Sequence, residues 1–125
     1  METAMSDTAP QAGGLDPEDE KLLVLARGAM GRTGGSSGAA VRDTDGRTYA
    51  AGAVELRALT LTALQAAVAA AISSGAEGFE AAVVIGASFH DAGISAVREI
   101  SSSGKIIFAD RNGAVYDTVG AEATQ

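Results

Sequence analysis

The chain has 125 residues, enough for one domain and one modest core. Its apolar share is an ordinary 46%, but aromatics are only 4% and Trp is absent, so Ala, Val, Leu and Ile must fill the interior. Nine Lys and Arg against sixteen Asp and Glu give a net charge of −7, the wrong sign for phosphate backbones or anionic membrane surfaces, and the lack of Cys excludes disulfides, thiol chemistry and Cys-ligated metal.

Residues 1–15, METAMSDTAPQAGGL, are small and polar and carry Gly and Pro, so they read as a disordered tail. They hold no basic region followed by an apolar run, and the expected location is the cytoplasm. Asp16 before Pro17 marks a helix start, an N-cap acceptor followed by Pro at the first helical position. Glu18, Asp19 and Glu20 suit the positive end of the helix dipole. Leu22, Leu23, Leu25, Ala26 and Met30 form one apolar stripe, which Gly28 or Gly31 is expected to end. RTGGSSG (32–38) is a flexible loop; it lacks the Lys of a phosphate loop, and a strand follows it rather than a helix.

AAVRD (39–43) and RTYAAGAV (47–54) are strand-like runs joined by TDG (44–46), a hairpin signal. An alanine-rich helix spans about 60–74, with Thr60 as N-cap and Gly75 as C-cap. FEAAVVIGA (79–87) is a continuous apolar run of strand length, the mark of a sheet interior. DAGISAVREISSSG (91–104) predicts a helix with Ile94, Val97 and Ile100 inward. KIIFAD (105–110) is a strand, RNG (111–113) a turn and AVYDTV (114–119) a last short strand, followed by a disordered tail at 120–125. The order predicts one α/β domain over 16–119, a five-stranded mixed sheet with helices on both faces.

The alanine-rich helix stands out. From Leu61 to Ile72 its only strongly polar side chain is Gln65. This run is too short for the ~18 residues of a membrane span. A helix apolar on nearly all sides must be covered on nearly all sides. The sheet supplies some cover, and another subunit is expected to supply the rest.

Two stretches carry a resemblance. SSGAAVRDTDGRTYAAGAVE (36–55) resembles the first hairpin of the cytidine deaminase family: a Gly-Ala-Ala strand, an Asp-Gly turn and a strand ending in Asn-(Val/Ile)-Glu. TALQAAVAAAISSGAEGFEAAVVIG (62–86) resembles that family's Cys-Ala-Glu-Arg-x-Ala helix, its Gly-containing exit and the next strand. The similarity covers about residues 17–119. It implies a three-layer cytidine deaminase-like fold and a homo-oligomer, dimer or tetramer, packed through the helix around Leu61–Ile72.

The resemblance also implies a zinc site. In the family, a Cys or His and two Cys hold zinc, whose hydroxide attacks C4 of cytosine while a Glu beside the metal shuttles protons. Carried over residue by residue, the first zinc ligand falls on Thr62 and the catalytic Glu on Leu64. The Pro-Cys-x-x-Cys segment falls on His90 to Ile94, so its Cys positions become Asp91 and Ile94. The substrate-binding Asn falls on Ala53, and its companion Glu is kept as Glu55. Two residues are missing between Glu55 and Thr62 relative to the family. Leucine cannot transfer a proton, and neither Thr nor Ile is a zinc ligand of any strength. Sliding the helix by one or two positions offers Gln65, which is not an acid.

The resulting expectation is a cytidine deaminase-like protein without zinc-dependent deaminase activity. It would hold no cofactor and act as a binding or structural homo-oligomer, with no nucleic-acid or membrane partner. Its small-molecule or protein partner is not named by the sequence. The residual pocket would comprise Glu55, Thr62, Leu64, His90 and Asp91. The alternative is a divergent nucleoside or nucleobase deaminase-superfamily hydrolase, with a metal held by His90, Asp91 and Glu55. For single residues the plainer readings are a polar His90 at a strand end and a Glu55 that is solvated or paired with Arg57.

Overall fold

The computed structural model describes residues 15–87 and 90–120. The tail expectations at 1–14 and 121–125 lie outside them. Leu15, assigned to the tail, is half-buried against the first-helix side of the core.

Helix α1 (Pro17–Thr33) starts where the sequence dictates. Asp16 is extended, and its Oδ1 accepts the Asp19 N–H at 2.9 Å. The helix does not stop at Gly28 or Gly31. It runs to Thr33 and ends at Gly34, whose positive φ of 67° lets its N–H reach the Gly31 carbonyl. Each internal Gly costs up to about 1 kcal/mol relative to Ala. Burial of Leu22, Ala26 and Ala29 against the sheet outweighs that. The inward stripe is also narrower than expected: Leu25 is 38% exposed and Val24 68%.

The remaining elements are β1 (Gly38–Asp43), β2 (Thr48–Gly52), β3 (Val54–Glu55), β4 (Thr60–Leu61), α2 (Ala63–Ser73), β5 (Phe79–Ile85), α3 (Ala92–Ile100), β6 (Lys105–Ala109) and β7 (Val115–Val119). Five strands form one mixed sheet in the order β2-β1-β5-β6-β7. β5 and β6 are parallel, joined through α3, and the other neighbours are antiparallel. The run expected as one strand over 47–54 breaks at Ala53. Val54–Glu55 instead pairs with Thr60–Leu61 as a separate two-stranded ribbon.

The period of two sorts the sheet into faces. Ala39, Val41, Ala82, Val84, Ile106 and Phe108 pack with α2 and α3. Ala40, Ala81, Val83, Ile85, Ile107 and Ala109 pack with α1. Three layers result, and β5 reads as an unbroken apolar run from Ala81 to Ile85 because both its faces are buried there, Glu80 alone being exposed.

α2 is covered on one side within the single chain. Ala63, Leu64, Ala67, Val68 and Ala71 are buried, whereas Ala69, Ala70 and Ile72 are exposed. On α3, Val97 is buried and Ile94 half-buried, but Ile100 at the C-terminal end is 41% exposed. The expected inward turn of Ile100 therefore fails. It sits in the last helical position, beside the Ser101 cap.

Two carboxylates inside the fold hold elements together. Asp19, placed by sequence among the dipole-facing acids, is buried. It pairs with Arg42 of β1 at 3.1 Å and with Lys105 of β6, and Arg42 also reaches Glu80 of β5 at 2.9 Å. Asp43 is equally buried at the hairpin. Its Oδ1 accepts the N–H groups of Asp45 and Arg47, both at 2.9 Å, and its Oδ2 accepts the Tyr49 hydroxyl at 3.1 Å. Burial pushes this carboxyl up, but the hydrogen bonds outweigh it and hold Asp43 below the usual aspartate range.

Helix α1 lies so close to β1 that a side chain on Gly38 would overlap the Ala26 carbonyl and come within 2.9 Å of Met30. Gly31 has open space around its Cα. Gly38→Ala should therefore destabilise the fold by about 1–3 kcal/mol in denaturant unfolding. Gly31→Ala, within α1, should stabilise it by about 0.5–1 kcal/mol.

Candidate functional site

The start of α2 is fixed by Thr62, not Thr60. Thr60 lies in β4, and its hydroxyl donates to the Leu56 carbonyl at 3.2 Å. Thr62 is extended and forms a reciprocal capping box. Its hydroxyl accepts the Gln65 N–H at 3.0 Å, and its own N–H donates to Gln65 Oε1 at 2.9 Å. Gln65 three residues on is what distinguishes Thr62 from Thr60. At the other end Ser74, not Gly75, is the C-cap, and Gly75 follows with a φ of 101°.

Asp91 caps α3, its Oδ1 accepting the Gly93 N–H at 2.7 Å. The fold brings the two helix starts together. Thr62 Oγ1 donates to Asp91 Oδ1 at 2.8 Å, across 29 residues of sequence. The two caps are thus bonded to one another.

Beneath this contact, Leu64 is fully buried in the core between α2, α3 and the sheet. Gly93 lies directly against it. A Cβ on Gly93 would come to 2.6 Å from both Cβ and Cγ of Leu64. Ile94 is half-buried on the same core.

Above the contact is a depression of about 240 Å³ whose walls include Ser37, Ala53, Glu55, Thr60, Thr62 and Asp91. Of the five residues expected in a residual pocket, Glu55, Thr62 and Asp91 come together here. Glu55 is exposed on β3. Leu64 lies underneath in the core, and His90 is exposed at the turn preceding Asp91. Ser37 and Thr60 belong to the walls without any signal in the sequence, since a loop and a two-residue strand deliver them. A wider groove runs past Val24 and Leu25. Its described walls all belong to α1, so it brings no second element's chemistry to bear.

The donor set does not fit zinc. Thr62 offers only a neutral hydroxyl oxygen that already accepts the Gln65 N–H, and Asp91 Oδ1 already accepts two hydrogen bonds. Ile94 has no lone pair to offer. Structural and catalytic zinc sites use three or four nitrogen, sulfur or carboxylate ligands. Among the described residues no three His, Cys, Asp or Glu side chains are grouped to hold a metal ion.

A family model described as "Cytidine deaminase-like" matches residues 15–113. No curated protein sequence matches the chain. Solved structures of cytidine deaminases are similar. The one from Burkholderia pseudomallei is 20% identical, covers 83% of this chain and 93% of its own, and has a TM-score of 0.70. That from Mycobacterium tuberculosis is 24% identical over 77% of this chain and 85% of its own, with a TM-score of 0.58. That from Mycobacterium leprae is 17% identical over 87% and 98%, with a TM-score of 0.61. At these identities the likeness is one of fold.

The Leu64–Gly93 contact has a direct test. Gly93→Ala should cost about 1–3 kcal/mol through overpacking. Leu64→Ala should cost about 2–5 kcal/mol through the cavity it leaves. Combined, they should cost less than the sum, because the new methyl enters the vacated space. Urea unfolding of the three variants reads this out.

Proposed function

The chain belongs to the cytidine deaminase-like family, and from that premise we propose that it is a non-catalytic member that works by binding, as a homo-oligomer, without zinc-dependent deamination. One observation carries the reading: at the meeting point of the two helix starts, Thr62 and Asp91 are bonded to each other over a fully buried Leu64. Leu64 falls where the family resemblance asks for a proton-shuttling acid. A packed hydrocarbon there can neither take nor give a proton.

The depression supports binding of a limited kind. Pockets that enclose a drug-sized ligand usually measure about 300–1,000 Å³, and this one holds about 240 Å³. A fragment fits within it. A ligand of nucleoside size needs further walls, which a second subunit can provide. The outer face of α2 supports such a subunit, because Ala69, Ala70 and Ile72 present small or apolar side chains to solvent with no charge among them. No helix among the described residues is long and apolar enough to cross a membrane. A net charge of −7 argues against nucleic acid as the partner. The proposed location is the cytoplasm.

Metal analysis of the purified protein, paired with an assay of cytidine deamination, tests the first half of the proposal. Zinc well below one equivalent and no turnover are expected; stoichiometric zinc with deamination would overturn it. The second half predicts more than one chain per particle in light scattering. Ala69→Arg, on the exposed face of α2, should convert that particle to the monomer while leaving the circular dichroism spectrum unchanged.

A further inference from the structure

We infer that the Thr62–Asp91 hydrogen bond is a clasp that joins the starts of α2 and α3 in place of a metal. The inference rests on the reading that this chain holds no zinc, and it adds what takes over the ion's mechanical role.

Two helix N-termini that meet bring two positive partial charges together, each equivalent to roughly half an elementary charge. Their approach is unfavourable unless negative charge lies between them. Asp91 supplies that charge. Its Oδ1 accepts from the α3 backbone at Gly93 and from the Thr62 hydroxyl. That hydroxyl in turn accepts from the α2 backbone at Gln65, whose side chain closes on the Thr62 N–H. One continuous chain, Gln65–Thr62–Asp91–Gly93, therefore links the first turns of both helices through a single carboxylate oxygen. Charge-assisted bonds of this kind are stronger than neutral ones. The clasp also commits the groups at the two helix starts: the Thr62 oxygen accepts from Gln65, and Asp91 Oδ1 accepts two hydrogen bonds. Beneath it, the contact of Leu64 with the bare Cα of Gly93 keeps the helices close enough for the bond to form.

The test is a thermal double-mutant cycle with Thr62→Val, Asp91→Ala and the two combined, each melted with and without a chelator. Each single change should lower the melting temperature by about 4–8 °C, the effect of losing one cap. The combined loss should fall short of the sum, and the chelator should move no curve. Additive losses would overturn the clasp alone, leaving the non-catalytic reading intact. A wild-type melting temperature that falls with chelator would overturn the clasp through its premise. Cytidine turnover in a chelator-insensitive protein with coupled losses would overturn the non-catalytic reading alone. A gain-of-site variant completes the test. Thr62→Cys, Asp91→Cys and Ile94→Cys in one chain should take up one equivalent of zinc and acquire a chelator-sensitive melt. A triple variant with native circular dichroism and no zinc uptake would overturn the claim that the clasp occupies a metal's place. If the triple variant does not fold, the cycle decides.

Discussion

Leu64 rests against Gly93 at a distance that no other residue at position 93 permits without a shift. The same geometry recurs on the opposite face of the sheet, where Gly38 leaves room for the Ala26 carbonyl of α1. A chain with 4% aromatics cannot fill wide gaps between its layers. It closes them instead by letting backbones approach, with glycine or alanine wherever helix meets helix or sheet. Ala39, Ala40, Ala81 and Ala82 do this in the sheet, and Ala63, Ala67 and Ala71 do it on α2. The position of the two helix starts, and so of everything polar at the candidate site, follows from this spacing.

Close backbones leave little room for water, so the polar groups between layers must satisfy one another. Three carboxylates do so at three joints. Asp19 ties α1 to β1 and β6, Asp43 organises the hairpin, and Asp91 joins α2 to α3. Removing the partner of a buried charge is far more damaging than removing a surface pair. The acidic surplus is therefore not only a solvated surface: part of it works inside the architecture.

Local chemistry made much of this legible. Asp16-Pro17 gives the start of α1 because both residues suit only that place. The two-faced burial of β5 gives its apolar run from Ala81 to Ile85. What sequence left obscure depends on distant partners. Gly28 and Gly31 look like helix stops until the sheet that pulls α1 past them is present. Asp19 looks like a dipole-facing acid, because Arg42 and Lys105 lie 23 and 86 positions away. Thr60 and Thr62 are both credible caps, and only the box with Gln65 separates them. The ribbon of β3 and β4 is too short for any period to declare itself. Glu55, Thr62 and Asp91 could be nominated from their places in the family motifs, but the bond between two of them could not.

That bond bears on what the scaffold has become. Here the polar groups at the helix starts are engaged with one another and with backbone amides, and the position beneath them is hydrocarbon. That arrangement is the ground on which the proposed role in recognition rests. Among the described residues, the carboxylate of Glu55 at the rim and the uncharged outer face of α2 are open to the outside. Both are means of contact. The fold brings two helices to one point, and there the Thr62–Asp91 bond and the Leu64–Gly93 contact hold them together.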